Sequence, residues 1–421
     1  MSIIRNIGFR TLSVVLSLCL LAVSLPLSAF AVGGGNAAEP EGISVNSNAE
    51  VIEVKEDRTV SEKTFRLEDG TFYIAHYDTE IHEEDESGNL IDIDNRLYAR
   101  DGLISTENGR YSFPVKTSDS SSLFSLSGKN NSVSFILNDA SHGIPGEISN
   151  QKTDLGKDAS RLEVLATLDN IRSSVLYKDI LMNADVEYVI YGRNVKENIV
   201  LKERQIQTEY IYSFILSLEN LVPVTAENGQ IDLNDPETGE TVYFLPKPAM
   251  WDAAGEFSDA VYYELTETEN GLFTLIITAD PEWINDENRV FPVTIDPPVY
   301  SSSSNVLDTY VSSSSPSSSY ANSPTIYVSS TQRSYWKLTT LPSLPKSAYI
   351  TGAEFKATAF PNMSTQTNLD VAAYEILTDW DSTLTWNKTV ASTDPAGQIA
   401  DTFVDFNNLY TNYVSGGFYF A

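Results

Sequence analysis

Apolar and polar residues alternate in short runs along most of this chain. "TFYIAHY" (71–77), "SVSFILN" (132–138), "RLEVLATL" (161–168), "DVEYVIYG" (185–192), "ENIVLKE" (197–203), "YIYSFILSL" (210–218), "TVYFLP" (241–246), "VYYEL" (261–265) and "LFTLIIT" (272–278) are rich in aromatic and β-branched residues. A period of two puts every second side chain on one face of an extended strand, and the Gly, Asn and Asp between the runs supply turns. No run carries the period of a long amphipathic helix. One hairpin is legible in detail: residues 186–191 and 195–201 flank Gly192-Arg193-Asn194, a turn of hairpin length. The Asn-Ala-Asp within "YKDILMNADVEY" (177–188) reads as the turn that feeds it. Many short strands with regular turn signals predict an all-β chain built of β-sandwiches.

The pattern also divides the chain. Residues 1–31 place Arg5 and Arg10 ahead of an apolar run that ends in Pro26 and the small-residue site Ala29-Phe30-Ala31, the signature of a signal peptide cleaved after Ala31. Residues 32–60 carry no sustained apolar period and read as a leader. Residues 61–299 form one long strand series, which stops at Pro297-Pro298, where a central strand cannot continue. Residues 300–305 read as a Ser-rich linker, and a further domain spans 306–421. Its opening, "DTYVSSSSPSSSYANSPTIYVSS" (308–330), holds two strand-like pieces, "DTYV" and "TIYVSS", joined by a Ser-rich loop. It belongs to a fold and is no tether.

Composition sets the compartment and the class of partner. Cys19, inside the expected signal peptide, is the single cysteine of 421 residues. The exported chain therefore has no disulfides and must be held by its core. With 58 acidic against 27 basic residues the formal charge is −31, which disfavours nucleic acid as a partner of these residues because phosphates are bound by cations. No D-x-[DN]-x-[DN]-G loop accompanies the acids, so calcium is unsupported by a motif and no cofactor is expected.

Candidate chemistry is sparse. His76, His82 and His142 are the only histidines. The first two lie six apart without H-E-x-x-H, a spacing that merely aims them at one face of a strand, and they read as surface residues. Neither a G-x-S-x-G elbow nor an S-x-x-K set occurs among the many serines. Five aromatic residues, Tyr310, Tyr320, Tyr327, Trp380 and Trp386, could stack on sugar rings, although the two tryptophans read first as core residues. The expectation is a chain that is not an enzyme.

"DTYV", "TIYVSS", "RSYWKLTTLPSLPKSAYITGAEFKATAF" and "VAAYEILTDWDSTLTWNK" resemble the DNRLRE-type domain, also classed as carbohydrate-binding module family 96. The resemblance rests on Asp308, Leu344-Pro345, Ala353, Trp380 and Thr385-Trp386-Asn387 in order, and covers 306–421. This chain has Tyr320-Ala321 where the family often has Tyr-Gly, lacks the eponymous hexapeptide, and ends before the closing strands. Upstream, "GNLIDIDNRLYARDG", "DVEYVIYGRNVKENIVL" and "EWINDENRVFPVTIDPPV" resemble the amino-terminal part of wall-associated RHS-repeat proteins of Gram-positive bacteria.

Together these resemblances imply a secreted or wall-associated, non-catalytic protein, the amino-terminal piece of a longer one. Its large β-sandwich region would precede an incomplete, jelly-roll-like carbohydrate-binding sandwich that takes cell-wall polysaccharide. Nucleic acid is not expected as a partner, nor membrane contact after signal cleavage. Two alternatives stand beside that reading: an adhesion or spacer segment of an RHS-type surface or toxin-delivery protein without glycan specificity, and a secreted glycan-degrading enzyme.

Overall fold

In a computed structural model, the structure describes residues 50–339 apart from short gaps, of which 151–160 and 302–305 are the longest, residues 18–21, and parts of 349–420. The chain is nearly all β, with antiparallel sheets and three short α-helices among the described residues. It divides into two units. One comprises Met1–Ile91, Asp154–Thr167 and Ser304–Ala421, the other Asp92–Thr153 and Leu168–Ser303.

The first unit opens on an antiparallel sheet in which β2 (Val51–Glu53), β3 (Glu62–Leu67) and β4 (Phe72–His76) follow one another, with β1 (Leu18–Leu21) beyond β4. Apart from β1, the expected signal peptide and most of the leader lie outside the described residues. A two-stranded hairpin of β5 (His82–Glu84) and β6 (Leu90–Asp92) comes next in the chain. Residues 161–166 correct a prediction: "RLEVLATL" begins as the helix α1 (Arg161–Ala166) and is not a strand. Leu162 and Ala166 are buried four residues apart while Val164 is exposed, the spacing of one helix face.

The second unit is a sandwich. Its strands are β7 (Leu97–Arg100), β8 (Leu103–Thr106), β9 (Tyr111–Pro114), β10 (Phe124–Ser127), β11 (Ser132–Leu137), β12 (Gly146–Asn150), β13 (Arg172–Leu181), β14 (Ala184–Tyr191), β15 (Asn194–Leu201), β16 (Tyr210–Glu219), β17 (Val222–Thr225), β18 (Ile231–Asn234), β19 (Thr241–Leu245), β20 (Ala249–Asp252), β21 (Phe257–Ser258), β22 (Val261–Glu269), β23 (Leu272–Ala279) and β24 (Val293–Asp296). Eight form the sheet β22-β23-β16-β11-β10-β9-β8-β7, and seven form β12-β13-β14-β15-β24-β20-β21. The remaining β17-β18-β19 make a small sheet of their own. Strict alternation drives this pairing: along β11, Val133, Phe135 and Leu137 are buried while their neighbours are half exposed.

Aromatic rings join the two large sheets. Tyr188 of β14 stacks on Phe124 of β10 with centroids 5.4 Å apart, and Phe113 of β9 lies 5.5 Å from the same tyrosine. These side chains belong to one continuous core with Val175, Ile199, Phe214 and Ile295. The legible hairpin is present as β14 and β15, paired from Ala184↔Leu201 to Tyr191↔Asn194. Its turn is tighter than expected, because Asn194 already belongs to the strand and Gly192 supplies a φ of +58°.

In the first unit, β25 (Val306–Ser312) carries "DTYV" and pairs with β26 (Gln332–Leu338). Within "TIYVSS", residues 326–328 form no strand: the pairing partner begins at Gln332, after a tight turn at Ser329–Gln332. The Ser-rich loop is tied to the fold, with Ser319 Oγ donating to Ser382 O and Asn387 N donating to Pro316 O.

Candidate functional site

The five aromatic residues singled out in the sequence do not form one platform. Tyr310 is buried, stacks on Tyr320 with centroids 4.2 Å apart, and meets Tyr327 edge-on at 5.1 Å. Its neighbour Val311 points the opposite way along β25 and packs with Tyr335, Trp380 and Leu384. Trp380 is 5% exposed and meets Tyr335 edge-on at 5.7 Å. Trp386 is half-buried at the start of α2 (Trp386–Thr389), beneath the Arg333 guanidinium at 4.9 Å. The tyrosines and tryptophans thus occupy opposite faces of one hairpin and mostly fill it.

The histidines also lie elsewhere than expected. His76 and His82 are buried and not surface residues; His76 Nδ1 is 2.9 Å from Glu62 Oε1, and His82 Nδ1 is 2.6 Å from Thr59 O. Cross-strand pairing explains the first contact, since Glu62 and His76 are partners between β3 and β4. Among the described residues no group of three or more His, Cys, Asp or Glu could hold a metal ion.

The polar cluster that sequence inspection missed lies in the seven-stranded sheet. Every residue of β15 after Asn194 is buried, so its two faces have different tasks. Val195, Ile199 and Leu201 join the core between the sheets, and Glu197 points the same way, opposite Tyr188. Burial pushes the Glu197 carboxyl up to about 8; the Tyr188 hydroxyl opposes that rise and the charge of Asp296 adds to it. Burial likewise drives the hydroxyls of Tyr188 and Tyr263 well above their usual range. The group at position 197 is therefore a neutral carboxylic acid at neutral pH.

On the other face of β15, Lys196 Nζ donates to Asp296 Oδ2 of β24 at 2.7 Å. Both side chains are under a tenth exposed, at 8% and 7%. The ring of Trp251 lies 5.7 Å from the same amine. Farther along this face Glu187 is raised by burial, against hydrogen bonds from Ser174 and Asn198 and the charge of Arg172, while burial lowers Arg172. The signal was present in "NVKENIVL": two charged residues in the middle of an apolar strand leave neither face free of charge.

No known family profile matches this chain, and no solved structure matches it. Curated relatives do. The tRNA(Glu)-specific nuclease WapA of Bacillus subtilis subsp. natto is 28% identical over 281 residues, 64% of this chain and 11% of that protein. The tRNA nuclease WapA of Bacillus subtilis strain 168 and the tRNA3(Ser)-specific nuclease WapA of Bacillus spizizenii are each 34% identical over 158 residues. These cover 36% of this chain and 6% of either relative. The chain is similar to a small part of the WapA nucleases.

That similarity corrects several expectations. The DNRLRE, carbohydrate-binding assignment fails: no profile supports it, and the relatives are nucleases. Its ordered aromatic series marks the packing of a hairpin, as Tyr310 and Trp380 show. Polysaccharide as partner falls with it. The expectation of no enzyme and no nucleic acid is overturned by three relatives named for cleaving tRNA. The charge of −31 and the missing catalytic motifs describe these 421 residues, which span about a tenth or less of the relatives. They do not report on a whole protein. The likeness to wall-associated, RHS-type proteins agrees with the same relatives.

Proposed function

We propose that this chain is a wall-held segment of a tRNA nuclease toxin of the WapA kind, in which it serves as a structural spacer and adhesion region. The observation that carries this reading is the 281-residue similarity to a WapA nuclease, which takes in 64% of the chain. The architecture suits the role: two large antiparallel sheets share a continuous aromatic core without cysteine, a build that folds outside the cell independently of oxidation. Among the described residues no helix is long and apolar enough to cross a membrane. On this reading the complete protein is exported, is retained at the cell wall, and has tRNA as substrate.

Fractionation of cells that make the protein tests the location, and incubation of the complete gene product with total tRNA tests the activity. The reading expects signal in the wall fraction and discrete tRNA fragments. Retention in the cytoplasm, or intact tRNA after incubation with folded complete protein, overturns it.

A further inference from the structure

The contact between Lys196 and Asp296 brings a nucleophile and a carboxyl group together. An amine held 2.7 Å from a carboxylate oxygen lies about 3.5 Å from the carboxylate carbon, at the outer end of the separations from which attack proceeds. The two residues are 100 positions apart in the chain and stand on adjacent strands of one sheet, so the sheet itself holds them together. Other lysine pairs are more exposed: the carboxylates facing Lys178, Lys247 and Lys337 are all more than half exposed, and Lys202, between Asp179 and Asp185, is itself 34% exposed. There water solvates the charges.

From this placement we propose that Lys196 and Asp296 form an intramolecular amide cross-link. Taking two charges out of water is costly, and their attraction recovers that cost only in part. Transfer of one proton from the ammonium to the carboxylate gives a neutral amine and a neutral acid, a pair that a poorly solvated site tolerates better. The amine nitrogen then attacks the Asp296 carboxyl carbon. A C–N bond forms, the C–OH bond breaks, and the hydroxyl leaves with a proton from the nitrogen as one molecule of water. No oxidant or reductant is needed. The product is an uncharged amide in place of a buried ion pair.

The Trp251 ring lies beside the amine, 5.7 Å away. The link would join the adjacent strands β15 and β24 and close the chain between residues 196 and 296 into a loop, a covalent clamp in a sandwich whose sequence offers no disulfide. The inference stands independently of the tRNA nuclease reading.

Intact-mass measurement of the purified, denatured chain tests it. The expected mass is lower than that of the sequence by one water, and proteolysis should yield a branched peptide joining the stretches around residues 196 and 296. Lys196→Met and Asp296→Ala should both restore full mass. Asp296→Asn should lose ammonia in place of water and reach the same branched product. Since the unaltered protein is itself measured, poor folding of a variant does not blur the outcome. Full mass with two linear peptides in the unaltered chain overturns the proposal, as does a mass deficit that survives in Asp296→Ala.

Discussion

Replacing Glu197 by glutamine should stabilise the protein, and increasingly so as pH rises. Glu197 lies in the core between the two large sheets, and burial lifts its carboxyl from the ordinary 4.5 to about 8. In the unfolded chain the same group ionises near its ordinary value. Between those two points the folded state holds one proton more than the unfolded state, so stability falls as pH rises through the window. Each pH unit costs about 1.4 kcal/mol, and the whole interval costs on the order of 5 kcal/mol. Glutamine carries no such proton. The difference in unfolding free energy between Glu197→Gln and the unaltered protein should grow from about pH 5 to about pH 8 and then level off. Urea titrations of both proteins across that range measure it, and the other carboxylates cancel in the difference. Parallel stability curves for the two proteins would falsify the argument, because they would mean that Glu197 ionises alike in the folded and unfolded chain.

Other outcomes follow from the packing. Asp252 accepts from Ala254 N and Glu256 N through Oδ1 and from Val290 N and Arg289 Nη1 through Oδ2; Asp252→Ala leaves a half-buried guanidinium and three amides without this partner. It should cost about 3–5 kcal/mol in a denaturant titration. Trp380→Ala should cost about 3–5 kcal/mol by emptying the small core around Val311 and Tyr335, and near-neutral stability in the melt would contradict that packing. Gly271 has a φ of +75°, and an added Cβ would sit 2.9 Å from Leu218 O. Gly271→Ala should therefore lower stability by about 1–3 kcal/mol, seen as a reduced denaturation midpoint at unchanged slope. Amino-terminal sequencing of exported protein should begin at Val32; intact Met1 in a membrane fraction would contradict cleavage.

The all-β character was legible because alternation is local: the run 185–192 states its own period, and its partner 194–201 lies one turn away. Three features escaped for physical reasons. Residues 161–164 alternate like a strand, yet Leu162 and Ala166 bury one helical face, a choice made by tertiary contact. The pairing of β15 with β24 joins residues about a hundred apart, which no local pattern records. The Lys196–Asp296 contact follows from that pairing and shared its invisibility. The aromatic residues were visible, but their faces were not: Tyr310 and Val311 are neighbours in sequence and point to different sides of β25. The core role read for Trp380 agrees with its packing against Tyr335 and Leu384, while Tyr310, read as a sugar platform, is buried against Tyr320.

Exchange of segments with a WapA nuclease tests the proposed role of this chain. The stretch of the Bacillus subtilis WapA nuclease that matches this chain can be replaced by the corresponding residues of this chain, with the rest of that protein unchanged. The chimera should be recovered from the wall fraction at the level of the parent, with the parent's tRNA cleavage retained. A chimera that is made and folded but is released to the medium, held in the cytoplasm, or unable to cleave tRNA contradicts the claim that this chain does the work of that segment.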